Sequence, residues 1–322
     1  MYSYTSADTI PAKLLQDADL IRRIRKDTIP PVHVQLILTN KCNLKCAYCS
    51  CANDDRSMEM TWPMFADLIP RLSRIGTRAI TITGGGEPLL YPMINEAIQT
   101  IRDSGISVGL VTNGIELPKI STRALHAITW CRISHSDDRP FTESYAKSLS
   151  AVIAQAPHVG WAFSYVLTHD SNLSNLTAVC RYATDHSFTH VRIVSDLTNT
   201  EQVDMSAAKA KLSKEATINH SILIYQDRTE PEPGMRCWIA YLKPTIAPDG
   251  NIYRCCGAQY ALDTKQRRWP DELKMGTIAT LEESLRDYST VSQGLICNQC
   301  YYGGYNRVLE AIKCKVTHEE FV

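Results

Sequence analysis

Between residues 32 and 225 the sequence alternates regularly between two textures. Short apolar runs rich in β-branched residues read as strands at 33–38, 78–83, 106–112, 129–134, 160–167 and 189–194. Amphipathic stretches between them read as helices near 62–75, 92–104, 118–127, 142–155 and 172–187. Strand–helix units joined by right-handed crossovers give a parallel sheet with its helices outside. Six units are too few for a complete eight-stranded barrel. The expected class is therefore α/β, an open and curved (β/α)6 partial barrel. In such sheets ligands bind at the carboxyl ends of the strands, so functional residues belong there.

The first strand end carries Thr39-Asn40-Lys41-Cys42-Asn43-Leu44-Lys45-Cys46-Ala47-Tyr48-Cys49, a C-x3-C-x2-C loop directly after the apolar run Val34 to Leu38. Thiolates this close on one loop can share a metal centre, and three of them leave a four-iron cluster one ligand short. An iron with an open position can bind a small molecule, as catalytic metal sites do. A zinc ribbon would need a matching second pair and C-x2-C spacing. The second strand runs into Gly84-Gly85-Gly86-Glu87-Pro88. Glycines there allow close backbone approach; in isolation the same run reads as a tight turn with a capping Glu. The third strand ends in Val111-Thr112-Asn113-Gly114, a turn signal by itself. The fourth ends in Ser134-His135-Ser136-Asp137-Asp138.

Composition narrows the partners. The 34 basic and 34 acidic residues cancel, and no basic block stands out, which disfavours a nucleic-acid surface. No run of about 18 apolar residues and no secretion signal are found, so neither a membrane span nor export is expected. The cysteines group at 42–51, 255–256 and 297–300, which favours metal binding in a reducing cytoplasm over disulfides. Ahead of the barrel, residues 8–26 read as one amphipathic helix with Leu14, Leu15, Ala18, Ile21 and Ile24 on its apolar stripe, ended by Pro30-Pro31. Residues 1–31 form the N-terminal extension, and 32–225 the barrel.

After Pro231-Glu232-Pro233-Gly234 the texture changes, and residues 226–322 are expected to form a second domain. Asp249-Gly250 between two β-rich runs signals a hairpin, which would bring Cys237 and Cys255 close together. Residues 281–288 read as a short helix, and Cys297-Asn298-Gln299-Cys300 adds a C-x2-C pair. Four thiolates complete a coordination sphere with no open site, as an iron–sulfur cluster or as a closed zinc site.

The cysteine loop, the Gly84–Glu87 run and the Thr112-Asn113-Gly114 loop together resemble the radical S-adenosylmethionine (SAM) enzymes. The resemblance implies a [4Fe-4S] cluster on Cys42, Cys46 and Cys49, with SAM on the open iron and Tyr48 against its adenine. It further implies that Gly84, Gly85, Gly86 and Glu87 serve the methionine amino group. Thr112 and Asn113 would lie beside SAM, and Ser134 near its ribose or carboxylate, with Asp137 a looser match. Val166 or Leu167 would face adenine, and Leu167 is taken as the candidate. The C-terminal region is similar to the twitch domain, a shortened SPASM domain, which implies an auxiliary [4Fe-4S] cluster on Cys237, Cys255, Cys297 and Cys300. This layout is similar to that of 2-deoxy-scyllo-inosamine dehydrogenase. The resemblance implies reductive cleavage of SAM to a 5′-deoxyadenosyl radical that takes a substrate hydrogen, with an electron passed to the auxiliary cluster. The net reaction expected is two-electron oxidation of a small-molecule alcohol or amine. The alternatives are a maturase that crosslinks, epimerises or excises in a ribosomally made peptide, and a non-catalytic iron–sulfur electron carrier. The partners expected are a small-molecule substrate or short peptide and an external electron donor such as flavodoxin or ferredoxin. His135, Arg192 and Asp196 are the substrate-side candidates. For His135 a structural histidine, and for the other two a surface ion pair, explains the residue as well.

Overall fold

The computed structural model describes residues 9–168, 171, 173–196, 203, 205–226, 236–261, 269–288, 300 and 302–314. Seven parallel strands form the body of one sheet: β1 (His33–Ile37), β2 (Ala79–Thr83), β3 (Ser107–Thr112), β4 (Ile128–Ser136), β5 (Gly160–Leu167), β6 (His190–Ser195) and β7 (Leu223–Gln226). They pair in chain order, and the sheet stays open, so the fold is the expected α/β partial barrel. β7 is the added strand; its four residues are too short to give a period of their own.

Helices α1 (Ile10–Leu15), α2 (Ala18–Arg25), α3 (Trp62–Ile75), α4 (Ile94–Asp103), α5 (Thr122–Ala127), α6 (Glu143–Gln155), α7 (Leu173–Asp185) and α8 (Met205–Leu212) precede β7. Their starts are written in the sequence. Thr61, Ser121 and Thr142 each accept a hydrogen bond from the backbone N–H three residues on, at 3.4, 3.2 and 3.3 Å. α3 stops at Gly76, whose φ of 101° suits a residue without Cβ. The main core lies between the helices and the outer face of the strands, where Phe65, Leu68 and Leu72 of α3 are fully buried with Leu36, Ile80 and Leu110. Each such side chain contributes about 1.5–3 kcal/mol relative to exposure.

The N-terminal segment differs from the single helix expected. Asp17 accepts a hydrogen bond from the Leu20 N–H at 2.9 Å and caps a new helix, so α1 and α2 are separate. The break takes Leu15 off the apolar stripe and leaves it 77% exposed. Ile10, Leu14, Leu20 and Ile24 instead share a second core cluster with α9 (Ile239–Leu242) and α11 (Gly303–Lys313).

The Asp249-Gly250 signal is a hairpin between β8 (Thr245–Ile246) and β9 (Asn251–Tyr253), with Gly250 at φ 78°. β10 (Lys274–Thr277) adds an antiparallel strand to β9, and α10 (Leu281–Ser284) follows. β8 pairs in parallel with β1, Gln35 opposite Thr245, so the hairpin extends the barrel sheet in the order β10-β9-β8-β1-β2 through to β7. No helix among the described residues is long and apolar enough to cross a membrane.

Candidate functional site

Alternation along the strands sends every second side chain inward. The inner face encloses a cavity of about 800 Å³ that opens at the carboxyl edge of the sheet. That volume falls in the range of small-molecule sites. Cys42, Cys46 and Cys49 border it, and so do Tyr48, Ser134 and the glycine run.

The rim is tied together chiefly through backbone groups. Gly86 N–H donates to the Thr39 carbonyl at 3.0 Å and Glu87 N–H to the Lys41 carbonyl at 2.7 Å, so the glycine run lies directly under the cysteine loop. A Cβ at Gly85 would overlap Asn40, and one at Gly86 the Lys41 carbonyl. The close approach that demands these glycines is thus to the neighbouring loop. Arg56 donates to the carbonyls of Asn40 and Gly85 at 3.0 and 3.3 Å.

Glu87, only 2% exposed, is the junction of three strand ends. Its carboxylate accepts from Leu89 N–H at 3.1 Å, Thr112 Oγ1 at 2.6 Å and Asn113 N–H at 2.7 Å. Burial raises its pKa, and the donors from Asn113 and Thr112 pull the other way. Asn113 passes the connection back to the cysteine loop through Asn43 Oδ1 at 2.7 Å. From β4, Asp138 accepts the Ala47 N–H at 3.0 Å, between Cys46 and Tyr48. Arg139, which bridges the carbonyls of Asn113 and Ser134, completes the ring. Sequence reasoning passed over Asp138, Arg139 and Arg56. The first two continue the Ser134–Asp137 run and were open to notice; Arg56, in a polar stretch, gave no signal.

The Cys42 and Cys46 thiols are shifted up by burial. Cys49 is shifted down, first by its hydrogen bond with the buried Cys51 thiol and further by Arg56. Cys51, left out of the expected ligand set, thus supports Cys49. Tyr48 borders the cavity, and its phenol is shifted up mainly by burial.

The structure separates the remaining candidates by face. Arg192 and Asp196 border the cavity; Arg192 donates to Ser164 Oγ from Nε at 3.2 Å and from Nη2 at 2.8 Å. The His135 ring lies among Phe141, Tyr145 and Tyr165 on the helix side, 2% exposed, with neither nitrogen hydrogen-bonded. Burial, aided by the Arg139 charge, lowers its pKa to about 3, so it is neutral at ordinary pH. The residue also borders the cavity, between Ser134 and Ser136. Leu167 is in the outer core, and Val166 borders the cavity in its stead. Asp137 accepts from Tyr165 OH at 2.5 Å, away from the cysteine loop that its neighbour Asp138 reaches.

A second cysteine-bearing wall faces the rim. Cys256 and Cys300 border the cavity, and the Cys256 thiol lies 3.1 Å from Tyr302 OH. Cys255 accepts from Gly257 N–H at 3.3 Å. The half-buried Cys237 packs against the second core cluster. Fully buried Asn306 joins these segments: it donates to Cys300 Sγ at 3.7 Å and accepts the Ile239 N–H at 2.9 Å, two residues past Cys237. Cys297 lies outside the described residues. Gln259 ties this wall to the rim by donating to the Gly84 carbonyl at 2.9 Å.

Among the described residues no three His, Cys, Asp or Glu side chains converge on a point suited to one metal ion. A multi-iron cluster has no such requirement, since each thiolate binds a different iron. The three rim thiols border one cavity and are a donor set of the right chemistry for a four-iron cluster.

Comparison with known proteins agrees with this geometry. Residues 36–136 match the Radical SAM superfamily. A Methanococcus maripaludis protein named probable GTP 3′,8-cyclase is 34% identical over 163 residues, covering 46% of this chain and 53% of that protein. A Mycobacterium GTP 3′,8-cyclase is 28% identical over 182 residues, covering 51% of each chain. The chain spans about half the length of these curated relatives. Among solved structures, Streptococcus suis SuiB bound to precursor peptide SuiA aligns at TM-score 0.59 and 15% identity, covering 93% of this chain and 78% of SuiB. Native anSMEcpe with bound AdoMet and Cp18Cys peptide aligns at TM-score 0.55 and 13% identity, covering 86% of this chain and 88% of that one. The chain carries a radical SAM domain. That family implies a [4Fe-4S] cluster and SAM as cofactors.

Proposed function

We propose that the protein is a radical SAM enzyme whose cluster is held by Cys42, Cys46 and Cys49, and whose substrate occupies the barrel cavity. One observation carries the reading: three thiols, the Gly84–Glu87 run, Asn113 and Ser134 meet around a single cavity at the carboxyl edge of the sheet. Bound there, the cluster would supply the electron that cleaves SAM to methionine and a 5′-deoxyadenosyl radical. The chain's part is to position and enclose. Glu87 holds the second and third strand ends together, and Asp138 holds the cysteine loop against the fourth. The exposed backbone of the glycine run and the Tyr48 ring are the groups suited to orient SAM. The second wall, linked to the rim through Gln259, bounds one side of the chamber and would help keep water and oxygen from the reacting groups.

For the net reaction we propose two-electron oxidation of a small-molecule alcohol or amine. Cys237, Cys255 and Cys300, with Cys297, would hold the auxiliary cluster. Four thiolates leave no open iron for substrate, a closed set suited to accepting an electron. Modification of a peptide ranks second, since the peptide-bound structures share this fold at 13–15% identity. The relatives' cyclase activity belongs to proteins of which this chain spans about half. Anaerobically reconstituted, reduced protein should convert SAM to 5′-deoxyadenosine and methionine. An iron-loaded protein that leaves SAM intact would be a carrier and not an enzyme.

A further inference from the structure

Lys243 stands on the short connection between the segments that carry Cys237 and Cys255. α9 begins two residues past Cys237, and Lys243 closes it by donating its N–H to the Ile239 carbonyl at 2.7 Å. The next carbonyl, that of Pro244, accepts the Gln35 N–H at 3.0 Å, and β8 then leads through its hairpin with β9 to Cys255. The backbone under the lysine is thus fixed on both sides. Its side chain reaches the cavity, with the ammonium 5.5 Å from the Tyr302 ring centroid. Tyr302 in turn lies two residues past Cys300, and its OH is 3.1 Å from the Cys256 thiol. Lys243, Tyr302, Cys256 and Cys300 make one face of the second wall, turned to the cavity.

The thiols of this wall suit an iron–sulfur cluster. Cys255 Sγ accepts the Gly257 N–H at 3.3 Å, and Cys300 Sγ the side-chain amide of Asn306 at 3.7 Å. Such donors steady metal-bound thiolates, and they help to set a cluster's reduction potential. Net charge near the sulfurs is a second lever on that potential. The Lys243 ammonium supplies positive charge here, and it interacts with both Cys255 and Cys256. Burial lowers Lys243 to about 8, the Cys256 thiol favours its charge, and Arg132 and Arg192 oppose it. At neutral pH it keeps its proton, and thiolates bound to iron would favour that further.

We propose that Lys243 is a positioning residue for electron transfer, whose ammonium stabilises the reduced form of an auxiliary cluster in the second wall. This rests on reading the second wall as a four-iron site and the net reaction as a two-electron oxidation. In that reaction the 5′-deoxyadenosyl radical removes one hydrogen atom from a substrate C–H bond. The carbon radical left behind gives its hydroxyl or amine proton to water and one electron to the second wall, and the C=O or C=N double bond forms. One unit of negative charge thus arrives at the wall that carries the ammonium. Opposite charges attract more strongly where water is excluded, so a half-buried cation acts more than a surface one.

The test is a redox titration of the anaerobically reconstituted holoenzyme, followed by electron paramagnetic resonance with SAM present. The Cys42/Cys46/Cys49→Ala variant assigns the signal of the second wall. Lys243→Met should lower that midpoint potential by at least about 59 mV, a tenfold change in the one-electron equilibrium, and leave the rim's unchanged. Lys243→Arg restores the charge and should keep most of the wild-type value. Lys243→Gln repeats the measurement where Lys243→Met loses its folded circular-dichroism signal. A wild-type potential in the neutral variants, an equal shift in Lys243→Arg and Lys243→Met, or loss of second-wall iron from both neutral variants overturns the proposal. A wild type with one reducible cluster and zinc in the second wall would remove the reading and the proposal together. Two clusters without the shift would remove the proposal alone.

Discussion

Two cysteine-bearing walls face each other across one cavity, and they are held by different means. The rim loop at residues 42–49 is fixed by hydrogen bonds with the side chains of Asn113 and Asp138, and the chain leading into it by the Gly86 and Glu87 N–H groups on Thr39 and Lys41. The second wall rests on an apolar cluster of Ile24, Trp238, Tyr241 and Leu309, drawn from both ends of the chain, with Asn306 as its main polar tie. Hydrogen bonds fix position and direction within tenths of an ångström, whereas apolar burial is non-directional. The rim is therefore prearranged for its ligand by short contiguous motifs. The second wall depends on how well a dispersed core is packed.

Removing the ligands of one wall should give the largest effect. The triple change Cys42→Ala, Cys46→Ala and Cys49→Ala is expected to abolish 5′-deoxyadenosine formation, read by chromatography, while the second wall keeps its metal. Next, Gly86→Ala drives a methyl group into the Lys41 carbonyl and displaces the cysteine loop. SAM cleavage should fall at least tenfold, and full activity would show that the rim is less rigid than described. Glu87→Gln keeps the shape but sets an amide among three donors, at a cost of about 1–3 kcal/mol in a denaturant midpoint. On the other wall, Asn306→Ala leaves the buried Ile239 N–H unpaired and should cost about as much. It should lower metal at the second wall and leave the rim's intact; equal loss from both would erase the contrast.

The smallest effect lies on the outer clasp of the second wall, where Arg71 of α3 holds Glu282 of α10, with Nε to Oε1 at 2.9 Å. The Arg71 hydrogen bonds lower the Glu282 pKa to about 2, below its unfolded value of 4.5. The pair's stabilisation is thus present above pH 4.5 and lost as pH falls toward 2. Glu282 is 36% exposed, so the pair is worth at most about 1 kcal/mol. The difference in urea midpoint between wild type and Arg71→Gln should be small at pH 7 and vanish near pH 2; a constant difference would deny the pair that role.

The strands and helices of the barrel were legible because each carries its own period, and α3, α5 and α6 a capping side chain as well. α3 spans Trp62–Ile75, where its amphipathic pattern puts it. The face of a side chain was legible only where register was known. Leu167 stood next to a cavity residue in sequence, yet alternation turns it into the outer core, whereas His135 borders the cavity while its ring packs against Tyr165. Long-range pairing left no local trace: β8 joins β1 across about two hundred residues, and that pairing carries Lys243 to the cavity. A lone lysine ending the apolar stretch Trp238 to Leu242 was the available hint. Gln259, which ties the second wall to the rim, gave none.

Iron per chain in anaerobically reconstituted protein tests the two-wall account most directly. Wild type should hold about eight irons, and both the Cys42/Cys46/Cys49→Ala variant and a Cys255→Ala, Cys300→Ala variant about four. About four irons in wild type, falling to none in the rim variant with zinc retained, would make the second wall a structural zinc site and remove the internal electron acceptor. Unchanged iron in the rim variant would contradict the central claim outright.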